Sequence, residues 1–157
     1  MLDRYLQILT ESLEKKLDIL KGIEDKCIEQ SALISKSAPI EDINKNMEDK
    51  DKLITELLKL DEGFDAMYEN IKSELLANKA DYATQIRKIQ QLIGDVMSKS
   101  ANIEAAEARN KAQMDLRFAR ERKQLNKQHT ASSAAYDYYK VTNKLTAVTP
   151  QFLDKKK

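Results

Sequence analysis

Glu104 and Glu107 stand three residues apart, which places two carboxylates on one face of a helix. Carboxylate-bridged di-metal bundles need such glutamates, but they take them with Glu-x-x-His motifs. The sole histidine, His129, lies far from both, and the sole cysteine, Cys27, lies farther still. That set is too small for a zinc site. No serine or cysteine has a base and an orienting group at a telling spacing, and no glycine-rich loop is present to cradle phosphate. The run RFARERKQLNK at 117–127 is basic enough to touch nucleic acid, yet it offers only Phe118 for base stacking. The residues therefore predict no catalytic site, no metal, no cofactor and no nucleic-acid partner.

The spacing that does carry chemistry is apolar. Tyr138, Val141, Leu145, Val148 and Phe152 recur at steps of three and four, as on one face of a helix. The same segment is rich in β-branched Val141, Thr142, Thr146, Val148 and Thr149, and Pro150 interrupts it, so its helix propensity is low. Burying five such side chains yields roughly 7–15 kcal/mol. Ordering about 15 residues costs on the order of 15–30 kcal/mol. The balance predicts a segment that is helical only against a surface. That surface is either a partner or the protein's own body, and periodicity does not choose between them.

Three longer stripes must position this segment. The first is Leu2, Leu6, Leu9, Leu13, Lys16, Leu20, Ile23, Cys27, Gln30 and Ile34. The second is Ile43, Met47, Lys50, Ile54, Leu57, Asp61, Phe64, Tyr68, Ile71 and Leu75. The third is Tyr82, Ile86, Ile89, Ile93, Val96, Ser100, Ile103, Glu107, Asn110 and Met114. All alternate steps of four and three, the pattern of helices packed along one seam. Pro39, followed by Glu41 and Asp42, marks a new helix start. Asn78 is a candidate left-handed cap and Asp81 a candidate N-cap. The prediction is an all-α fold: a long antiparallel up-down-up three-helix bundle or coiled coil over 1–127, with helices at about 2–35, 39–77 and 81–127, and a C-terminal tail or short helix over 128–157. A continuous rod from 39 to 127 is the competing arrangement, because Asn78 also falls at stripe spacing.

The register follows from the polar interruptions. In an antiparallel pair, facing residues have numbers of constant sum. The first two stripes pair throughout at a sum of 77, and the second and third at 157. This sets Lys16 against Asp61 and Lys50 against Glu107 in the layer of Cys27. It also gathers Gln30 and Asn110 in the layer of Met47. Only Ser100 is left without a polar companion. Polar groups inside a seam cost stability unless paired, so these layers select one register among the heptad slips.

Composition agrees. The chain of 157 residues has three glycines, two prolines, no tryptophan and 34% charged residues, which suits long solvated helices. The net charge of +1 conceals an asymmetry. Residues 1–78 carry 11 basic and 18 acidic side chains, whereas residues 79–157 carry 16 and 8. Helices of opposite sign attract on packing, and a basic C-terminal portion also suits an acidic partner. No apolar run approaches the ~18 residues of a membrane span. The acidic amphipathic start MLDRYLQILTESLEKK is not built like a signal peptide, and a single cysteine suits a reducing cytoplasm.

The helical stripes, the run EARNKAQMDLRFARERKQLNKQ, the small-residue stretch ASSAAYDYYK and the terminus TPQFLDKKK together resemble the FlgN-type flagellar export chaperones, in the form seen in clostridia-like bacteria. The resemblance spans the chain and is most specific in its last third. It implies a cytoplasmic, non-catalytic helical protein of bacterial flagellum assembly and type III protein export. Such a protein binds hook-associated proteins of the hook–filament junction, prevents their premature association and delivers them to the cytoplasmic domain of the export gate. The export ATPase complex is an open further partner, a homodimer an open state, and membrane insertion is not implied. Carried over by position, Tyr138, Val141, Leu145, Val148 and Phe152 form the substrate stripe, and the gate-docking tyrosine is one of Tyr136, Tyr138 and Tyr139. A chaperone for the filament cap or flagellin, or a structural coiled-coil adaptor, are the alternatives.

Overall fold

A computed structural model of the chain describes residues 2–125. Three helices follow in order: α1 (Leu2–Ser35), α2 (Ile40–Ala77) and α3 (Ala83–Leu125). They form an up-down-up bundle, each helix on the order of 50–65 Å long. The competing single rod is overturned, because a turn at 78–82 separates α2 from α3.

Every residue of the first two stripes is buried. In the third, Tyr82, Ile86 and Ser100 are half-buried and the other seven are buried. Most of the apolar side chains merge into one core from Leu2 and Leu75 at one end to Ile103. A second cluster of Ile34, Ile43, Met47, Met114 and Phe118 closes the other end. Helix α1 lies closest to both partners. Cα atoms approach within 8 Å between α1 and α2 and between α1 and α3, but not between α2 and α3. Longer side chains bridge that wider gap. Gly22 on α1 lets Leu53 of α2 come close, its absent Cβ lying 3.4 Å from a Leu53 methyl.

The two corners are built differently. Helix α1 ends in a Schellman motif: Ser37 N–H donates to Ile34 O at 3.1 Å and Ala38 N–H to Leu33 O at 3.0 Å. This requires a left-handed residue, and Ser37 supplies it at φ 54°. Pro39 then precedes α2 as its N-cap at φ −55°, with Glu41 and Asp42 in the first turn. At the second corner the sequence expectation fails in detail. Asn78 is not left-handed but sits at φ −120°. Its side-chain amide donates to Glu74 O at 2.8 Å and its backbone N–H to Glu74 O and Leu75 O at 3.2 Å, so side chain and backbone together cap α2. Asp81 lies inside the turn, its N–H bonded to Asn78 O at 3.1 Å, and α3 starts two residues later.

Candidate functional site

Two features in the described residues concentrate charge or chemistry: a polar layer inside the bundle, and the end where α3 leads on to residues 126–157. In the layer, α1 supplies Cys27 and Gln30, α2 supplies Lys50, and α3 supplies Glu107 and Asn110. Lys50 is 0% exposed. Its Nζ donates to Glu107 Oε1 at 2.6 Å and to Gln30 Oε1 at 2.5 Å. The Cys27 thiol also reaches Glu107 Oε1, at 2.8 Å. Asn110 Nδ2 donates to Cys27 O at 2.9 Å and to Gln30 Oε1 at 3.3 Å. The sums of 77 and 157 are thus realised by the groups that imply them.

Burial dominates the acidity of the thiol. It pushes Cys27 up to about 12, with Glu107 adding to the rise and Lys50 opposing it. A thiol held protonated, beside an ammonium already bonded to two side-chain oxygens, is neither an exposed nucleophile nor a proton shuttle. Toward the middle of the bundle Lys16 Nζ meets Asp61 Oδ1 at 2.5 Å. There burial raises the Asp61 carboxyl above the usual carboxylate range and Lys16 pulls it part of the way back. Ser100 Oγ, predicted to lack a companion, is buried without a hydrogen-bond partner among the described residues. What these layers do is select the pairing of three helices.

The far end holds what the stripes missed. Residues after Met114 read as a basic extension with little apolar content, yet the core continues one turn further. Phe118 is buried in the second cluster, and Arg117 beside it is buried too. The signal was present in sequence: Phe118 stands four residues after Met114, one more step of the stripe. Arg117 Nε bonds Glu121 Oε1 at 2.7 Å along α3, which neutralises the buried guanidinium locally. Beyond it Arg120, Arg122 and Lys123 are exposed, and so is Leu116, at 65%. Ile34, Ser35, Ser37, Gln113, Leu116 and Arg120 line a cavity of about 330 Å³ against the α1 corner. Ile19 and Asn46 are the other buried residues that the stripes omit. Asn46 earns its burial by donating to Lys26 O at 3.1 Å and Glu29 Oε1 at 3.2 Å.

Tyr136, Tyr138, Tyr139, Val141, Leu145, Val148 and Phe152 lie outside the described residues, as does His129. Among the described residues no group of three or more His, Cys, Asp or Glu side chains is arranged to hold a metal ion. No described helix is long and apolar enough to cross a membrane. Comparison with protein-family models, with curated proteins and with solved structures returned no match.

Proposed function

We propose that the chain is a cytoplasmic, non-catalytic FlgN-type export chaperone. In this reading it binds hook-associated proteins, keeps their terminal helices apart and delivers them to the export gate. One observation supports it above others: the stripe residues of the bundle are consumed by its own core and locked in register by paired charges. The core faces therefore have no apolar surface to lend. The remaining stripe, Tyr138 to Phe152, begins 13 residues after Leu125, the last residue of α3, in sequence. A chaperone must cover its client's amphipathic helix and then release it. A stripe of low helix propensity suits that task, because the cost of ordering it limits affinity.

The test is the Leu145→Asp substitution with calorimetry against a terminal segment of a junction protein. Binding is expected to disappear while the bundle melts as before. Unchanged affinity would remove the stripe from the proposal. Amide exchange over 128–157, measured with and without that segment, is expected to slow on addition.

A further inference from the structure

We propose that the groove between α1 and α2 near Ser12 and Gly63 docks an amphipathic helix of another protein, which inserts a bulky apolar side chain and sets carboxylates against Lys15 and Lys59. This site is separate from residues 128–157, and the inference does not rest on the reading given to them.

The groove has a volume of about 380 Å³ and is lined by Ile8, Ser12, Leu60, Gly63, Phe64 and Met67. It exists because two small residues face a seam otherwise built from large ones. Gly63 is the informative one. A glycine in a helix interior costs roughly 1 kcal/mol relative to alanine. At Gly22 a Cβ would lie 3.4 Å from a Leu53 methyl, an ordinary contact across the helix pair. A Cβ placed at Gly63, as at Gly94, meets nothing within 4 Å, and of the two it is Gly63 that lines this groove. The absent side chain leaves an open notch in an apolar wall. Tyr5, 38% exposed, lies one turn before Ile8 and extends the apolar strip along α1.

Charge selects the occupant. Lys15 and Lys59 both line the groove, and neither forms an ion pair among the described residues. Glu11, also at the rim, accepts a hydrogen bond from Gln7 at 3.1 Å. Two uncommitted ammonium groups thus flank an apolar notch on a hairpin that otherwise carries excess negative charge. A ligand that fits needs an apolar knob with acidic neighbours. The groove runs between two antiparallel helices, so a helix lying alongside them presents such a knob with its acids one turn away.

The probe is a fluorescent synthetic amphipathic helix with a leucine stripe flanked by glutamates, and its twin with lysines in their place. Anisotropy is read on the full chain. The acidic peptide is expected to bind and its twin not to. Gly63→Trp, whose Cβ meets nothing within 4 Å and whose ring would occupy the notch, is expected to weaken binding by about tenfold or more. The Lys15→Glu, Lys59→Glu pair is expected to do the same and to admit the lysine peptide. Equal binding of both peptides, no binding of either, or affinity indifferent to Gly63→Trp would overturn the proposal. Two further results would also overturn it by naming another occupant. One is a dimer in sedimentation equilibrium that Gly63→Trp dissociates. The other is faster amide exchange over 126–157 in Gly63→Trp, which would place the chain's own segment in the groove. Thermal melting of both variants confirms that the bundle is intact.

Discussion

Replacing Lys50 by Met should unfold this protein more readily than its size change suggests, and replacing its charged partner as well should repair it. Lys50 and Glu107 are 0% and 4% exposed, on helices whose backbones stay apart. Their 2.6 Å contact is therefore one of the ties that close the α2–α3 side. Lys50→Met leaves the Glu107 carboxylate buried beside a thiol, with its ammonium partner gone. Stranding a buried charge in this way costs about 3–5 kcal/mol. For a chain of this size that corresponds to a fall in melting temperature of about 6–20 °C. Glu107→Leu strands the ammonium instead and should cost a similar amount, cushioned by the Gln30 carbonyl at 2.5 Å. The double variant removes both charges together and should return to within about 1 kcal/mol of the parent, or exceed it. Urea unfolding of the four proteins gives the coupling energy directly, expected at about 5 kcal/mol or more from these figures. Additive single effects, or single losses below about 1 kcal/mol, would refute the reasoning. Either would mean that the pair is solvated and that its register role is carried elsewhere. The double variant should also show more than one oligomeric or pairing state, since only the Lys16–Asp61 pair is then left of the two buried ion pairs that exclude a heptad slip.

Cys27 yields a prediction with a definite sign. Burial pushes its folded thiol up to about 12 from an ordinary 9.0. Its contribution is therefore fully present below pH 9, and is lost as the pH rises toward 12, because the unfolded chain releases the proton first. Stability should decline across that window by roughly 1 kcal/mol more per pH unit than in Cys27→Ala, as denaturation at stepped pH would show. Ellman's reagent should modify the folded chain only through opening, since the shift alone lowers the thiolate fraction by about a thousandfold. Reaction at the rate of a small thiol would contradict the burial. Ser37 holds a left-handed conformation that glycine adopts without steric cost. Ser37→Gly should therefore raise stability by about 1 kcal/mol in thermal melts, and a loss would show that its hydroxyl matters more than its backbone.

Much of the bundle was written in the chain. Stripes of four-three spacing determine helices with one buried face, because only that period keeps apolar side chains along a single seam. The polar interruptions determine the register as well: Lys16 with Asp61 and Lys50 with Glu107 follow from number sums and are found as ion pairs. Pro39 marks the first corner. Other features were decided only in three dimensions. Sequence does not show that α1 lies nearer to both partners than they lie to each other, since all three stripes look alike. Ser37 in a left-handed cap and Asn78 capping through side chain and backbone together depend on where each helix must stop to meet the next. Arg117 and Ile19 are buried because neighbouring helices cover the flanks of a stripe as well as its centre. Gly63 reads in sequence as a weak point in a helix. Whether a missing Cβ leaves a void, a close contact or an open notch depends on what stands opposite, and the chain alone does not say what that is.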